Sequence, residues 1–144
     1  MQVQFISSVA IIAEDPADGR KLFIGAFGLP LEPPPGDGDD HYVYSERIDG
    51  CKHFGVWPLR EAAQACFGTD AWPSDRPVPQ VSIEFDLESP AAVAAAAAEL
   101  ESKGYAVLHA PRTEPWGQTI ARIQNAEGAI IGVSFTPWMH QSSD

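Results

Sequence analysis

Four histidines, His41, His53, His109 and His140, and two cysteines, Cys51 and Cys66, are the side chains of this 144-residue sequence best suited to hold a metal or move a proton. Their spacing matches no recognised catalytic pattern. No HExxH motif occurs, the cysteines form no CxxC pair, and neither a glycine-rich phosphate loop nor a nucleophile–base pair is present. The histidines therefore read as surface or hydrogen-bonded side chains, with a displaced metal site as the alternative, and the cysteines as reduced structural thiols. A carboxylate stands out more. VSIEFDL at 81–87 alternates apolar and polar residues as a half-buried strand does, setting Val81, Ile83, Phe85 and Leu87 against helices and Ser82, Glu84 and Asp86 on the other face. There Glu84 could orient a donor group or a cation, pair with Arg112 or Arg122, or, like His53, act as a base.

Strands and helices that would position these groups follow one plan twice. FISSVAIIA at 5–13 reads as a strand, Asp15-Pro16 as the start of a helix running to Phe27, and Gly28 as its stop. A turn-rich loop, LEPPPGDGDD at 31–40, leads to strands at 41–48 and 51–57 joined at Asp49-Gly50. Residues 58–79 carry Pro58, Pro73, Pro77 and Pro79 around REAAQACF, and 59–78 reads as a linker between modules at about 3–58 and 79–137. The second module opens on strand 81–87, continues through an alanine-rich helix that starts at Ser89-Pro90 and stops at Gly104, and closes with strands at 105–109, 118–124 and 129–135. Glu127-Gly128 marks the last hairpin turn. The fold class predicted is α+β, one domain over 1–144 made of two tandem βαβββ modules.

Three segments resemble the vicinal oxygen chelate superfamily of glyoxalases, bleomycin-resistance proteins and dioxygenases. LFIGAFGLP at 22–30 is similar to the family's helix end, SIEFDL at 82–87 to the strand opening its second module, and PWGQTIARIQNAEGAIIGV at 115–133 to its closing pattern. The resemblance implies a cupped mixed sheet around a ligand, with metal ligands of the family's enzymes on the first and last strands of each module. Those positions here are Ser8, Gly55, Ser82 and Gly132. None offers an imidazole or a carboxylate, so the resemblance points to a metal-free, cofactor-free branch. The interval from Ser8 to Gly55 nearly equals that from Ser82 to Gly132, and GVW at 55–57 resembles GVS at 132–134. Parity then places His53 and Trp57 beside Gly55, and Ser134 beside Gly132, with the two glycines leaving open floor for a flat ligand. Trp57, Trp72 and Trp116 fall where the family lines its cleft, while Trp138 reads as a packing anchor or dimer contact before a frayed tail. The ligand-binding set expected is thus Ser8, His53, Gly55, Trp57, Trp72, Ser82, Glu84, Trp116, Gly132 and Ser134.

Nine basic against twenty acidic residues, a formal charge of −11, repel phosphate backbones and argue against nucleic acid as a partner. An apolar content of 44% without a long apolar run predicts a soluble chain with no membrane partner, and an N-terminus without a basic leader predicts a cytoplasmic one. The function expected is metal-independent binding of a small molecule, an aromatic or antibiotic natural product that the protein sequesters, by a homodimer whose cups combine strands of two chains. The alternative is an enzyme, either with a displaced metal site or a metal-free isomerase.

Overall fold

The computed structural model describes residues 1–38 and 41–140. Asp39 and Asp40, at the end of the turn-rich loop, and residues 141–144 of the tail expected to fray lie outside them. The first half consists of β1 (Phe5–Ala13), α1 (Pro16–Arg20) continuing as a π-helical stretch (Lys21–Ala26), β2 (Val43–Ser45) and β3 (Phe54–Pro58). After α2 (Leu59–Phe67) come β4 (Val81–Asp86), α3 (Pro90–Ser102), β5 (Arg112–Thr113), β6 (Thr119–Gln124), β7 (Ile130–Phe135) and a 3₁₀ turn (Pro137–Met139). Helix starts follow the sequence signals. The Asp15 carboxylate accepts from the Asp18 amide at 3.2 Å, and the Ser89 hydroxyl from the Ala92 amide at 3.1 Å, each just before a proline whose fixed φ suits a first helical turn. Gly28 and Gly104 end the first and third helical segments at φ +68° and +95°, where a side chain would be strained.

The seven strands of the described residues form one mixed sheet in the order β2-β3-β1-β4-β7-β6-β5. β1 runs parallel to β3, β4 parallel to β7, and the halves join through the antiparallel β1–β4 ladder. Because that ladder forms within the chain, one copy builds the whole cup.

On the convex side α1 and its π-helical continuation cover Val43 and Val56, while α3 covers Ala121, Val133 and Leu87. Both pack over the outer strands. Val81, Ile83 and Phe85 therefore remain partly exposed between them, and of the residues expected to be buried on this face only Leu87 is fully covered. The segment read as a linker has a second role. α2 packs Ala62, Ala63 and Cys66 with Ile12, Ile130 and Trp72, plugging one end of the concave side with apolar residues.

Two strand expectations are also corrected. Residues 105–109 form no strand: Leu108 makes one backbone bond, its amide to the Arg122 carbonyl at 2.8 Å, while Val107 and Leu108 pack into different cores. The hairpin centred on Asp49-Gly50 opens after Ser45, because the Ser45 hydroxyl takes the Arg47 amide and Cys51 turns back to the Ile48 carbonyl.

Candidate functional site

Alternation along the strands sends one set of side chains into the concavity, and the pairing aligns them in a row. Arg122 on β6 lies opposite Gly132 on β7, Gly132 beside Glu84 on β4, and Glu84 opposite Ser8 on β1. The Val9–Phe54 and Ser45–Phe54 pairings carry the row on to His53 and Glu46. Above this floor is a cavity of about 450 Å³. Its wall includes Ser8, His53, Trp57, Ser82, Glu84 and Trp116 from the expected set, together with Tyr42, Tyr44, Glu46, Gln118, Arg122 and Trp138.

Two hydrogen-bonded chains organise the polar part. In the first, Glu46 Oε1 faces His53 Nδ1 at 3.1 Å, and His53 Nε2 faces the Tyr42 hydroxyl at 2.7 Å. The carboxylate holds a proton on Nδ1, leaving Nε2 to accept from the phenol. Rings reinforce this: Tyr42, Tyr44 and His53 stack with centroids 4.7–5.9 Å apart and planes within 16° of parallel. Burial of the Tyr42 hydroxyl, and then the charge of Glu84, hold its pKa well above the ordinary 10, so Tyr42 serves as a neutral donor. In the second chain Trp116 Nε1 donates to Gln118 Oε1 at 3.0 Å, and Gln118 Nε2 donates to Glu84 Oε1 at 2.8 Å and Thr136 Oγ1 at 3.2 Å. Glu84 is thus fixed by an amide and not by either arginine.

Trp116 and Trp138 stand at the rim, 58% and 40% exposed, and Trp138 Nε1 approaches Glu46 at 3.4 Å. Trp138 therefore belongs to the cavity wall, whereas sequence had set it aside as an anchor or dimer contact.

Four residues of the expected set are placed elsewhere or covered. Trp72 is 9% exposed inside the α2 core, edge-on to Phe67 with Nε1 donating to the Pro77 carbonyl. Ser134, fully buried, donates to Asp86 Oδ1 at 2.7 Å. Asp86 also accepts from the Thr136 amide and hydroxyl, and pairs with His140 Nε2 at 2.6 Å, forming a closed polar knot beneath the cavity. Neither glycine leaves open floor. A Cβ at Gly55 would collide with the Tyr42 phenol, and one at Gly132 would lie 3.0 Å from Glu84 Cγ and 3.3 Å from Ile120 Cδ1. The space that small residues vacate is filled by neighbouring side chains.

Of the four positions the resemblance points to, two are serines and two are glycines covered by Tyr42 and Glu84. Among the described residues no group of three or more His, Cys, Asp or Glu converges in a way that could hold a metal ion.

Solved structures of other proteins share this architecture. A Vibrio splendidus protein named as a glyoxalase/bleomycin resistance protein/dioxygenase superfamily member superposes with a TM-score of 0.56 at 12% identity, over 94% of this chain and 100% of that one. Streptomyces coelicolor methylmalonyl-CoA epimerase in complex with 2-nitronate-propionyl-CoA gives 0.54 at 14% identity, over 94% and 99%. The fold is that of the vicinal oxygen chelate superfamily. A Legionella pneumophila protein named as an NAD-dependent benzaldehyde dehydrogenase also matches, at 0.57 and 11% identity over 89% and 96%. No protein-family model and no curated protein matches the chain. Within this vicinal oxygen chelate fold, the concave face that sequence parity assigned to Ser82 and Glu84, and to His53 and Trp57, is the face that lines the cavity.

Proposed function

We propose that the protein binds a small planar aromatic molecule in the concave cavity, without a metal. The observation that carries this reading is the wall itself: Tyr42, Tyr44, Trp57, Trp116 and Trp138 surround a space large enough for a drug-sized ligand, while the two hydrogen-bonded chains fix a few polar groups among them. Half-exposed tryptophans at a rim leave apolar area uncovered that a stacked ring would bury, contributing about 1 kcal/mol beyond the area itself. Sequestration of an aromatic natural product fits such a cavity, since binding alone would suffice. A titration of tryptophan fluorescence against aromatic natural products, bleomycin-type glycopeptides and enediynes included, should give saturable quenching with at least one of them. A flat response to the whole panel would contradict the reading.

Glu46–His53–Tyr42 supports a second reading, metal-independent proton transfer to or from a bound carbon acid. It predicts exchange of a carbon-bound hydrogen in heavy water that His53→Ala abolishes; exchange that survives the substitution would remove His53 from the reaction.

A homodimer also belongs to the proposal. Its support is the apolar strip of Ile6, Val9, Ile11, Ile83 and Phe85 left between the helices on the convex face, Ile6 being 51% exposed. Sedimentation as a monomer at micromolar concentration would count against it.

A further inference from the structure

Arg122 is the residue whose surroundings the proposed function leaves unexplained. It is 4% exposed, and its side chain forms part of the cavity wall toward α2. A guanidinium taken out of water needs acceptors for its five N–H groups or a counter-charge. Here Nη1 faces His109 Nε2 at 3.1 Å, Cζ lies 5.4 Å from the centre of the Trp57 ring, and Nε is buried with no partner among the described residues.

His109 supplies no negative charge. Its Nδ1 donates to the Ala110 carbonyl at 2.9 Å, and burial, with the neighbouring arginines, lowers its pKa, so it meets Arg122 as a neutral acceptor. The glutamates lining the same cavity are held by other donors. Glu84 takes Gln118, Glu114 takes Arg112 Nε at 2.6 Å, Glu61 faces His41 Nδ1 at 3.0 Å, and Glu46 faces His53. Asp37, the other acid of the wall, is exposed on the rim loop. Among the described residues no carboxylate lies within ion-pair distance of Arg122.

We propose that this inner end of the cavity is an anion subsite, and that the ligand carries a carboxylate that seats on Arg122 beside the Trp57 ring. The inference rests on reading the cup as a ligand cavity. A carboxylate offers the two oxygens that a guanidinium fork accepts side by side, and the indole gives the attached apolar group a surface to lie on.

Phenylacetate, phenylacetamide and phenethylamine carry one ring and three charges, and they make the test. Calorimetry on the full-length protein should show phenylacetate bound at least tenfold more tightly than the other two. Arg122→Gln should erase the difference, and Arg122→Lys, which keeps the charge but loses the fork, should retain part of it. Equal binding of all three, or a preference for phenethylamine, overturns the anion subsite and leaves the cavity reading intact. Binding of none overturns both. Should Arg122→Gln fail to fold, the wild-type ¹⁵N signal of the Arg122 Nε–H group decides. Its saturable shift with phenylacetate, and not with phenylacetamide, supports the subsite; an unmoved signal refutes it.

Discussion

Gly55→Ala puts the smallest possible side chain where the fold has placed a ring. Its backbone has no positive φ, so alanine is conformationally acceptable, and in an empty cup the change would stabilise by about 0.4–1 kcal/mol through the unfolded chain. The added Cβ instead lands on the phenol of Tyr42, which must swing away. Moving it breaks the 2.7 Å bond to His53 and the bond to Ser8, each contributing about 1 kcal/mol. It also breaks stacking on Tyr44 and His53, contributing roughly 0.5–1.5 kcal/mol per ring pair. Allowing for partial relaxation, Gly55→Ala should lower unfolding stability by about 2–4 kcal/mol in urea denaturation. A double-mutant cycle isolates the cause: in a Tyr42→Ala background the same substitution should be neutral or mildly stabilising. An equal loss in both backgrounds would refute the claim that Tyr42 occupies the glycine floor, and so would no loss in the wild type.

Three further outcomes follow from the same geometry. Asp86→Asn keeps an oxygen for the Thr136 amide but turns an amide donor toward the Ser134 and Thr136 hydroxyls, which donate to Asp86 inside a fully buried knot, and should cost about 1–3 kcal/mol by chemical denaturation. Trp72→Ala should cost about 3–5 kcal/mol of stability, whereas Trp116→Ala should change stability by less than about 0.5 kcal/mol yet weaken ligand binding by about 1–3 kcal/mol in calorimetry. Stability should also depend on pH at both ends. His109 has a folded pKa below its ordinary 6.5, so its contribution is full above that value and is lost as pH falls through it; Tyr42 has a folded pKa above 10, so stability declines once unfolded chains ionise there. His109→Gln should flatten the acid limb, and Tyr42→Phe the alkaline one.

Much of this fold could be read from residue order. Ser89-Pro90, Gly104 and the alternation of VSIEFDL act locally, so they appear in the structure where the sequence puts them. Parity also named the concave side chains of β3, β4 and β7, because side-chain direction in a strand depends only on its neighbours. What escaped depends on contacts across the sheet. Tyr42 fills the Gly55 floor from the position just before the neighbouring strand β2, Trp138 returns to the rim after β7, and α2, besides connecting the two halves, packs inside the concavity. Two signals were nonetheless available: tyrosines alternating in YVYS, and a lone arginine within the apolar run TIARIQ. A charge in a buried strand marks either a partner or a ligand, and Glu84, the carboxylate first matched to it, is held by Gln118.

The cavity as binding site is tested most directly by amide chemical shifts, recorded with a saturating amount of any compound that quenches tryptophan fluorescence. The account predicts that the largest changes fall on Ser8, His53, Trp57, Glu84, Trp116 and Arg122, with the convex helices α1 and α3 unmoved. Changes centred on those helices, with the concave strands silent, would contradict it.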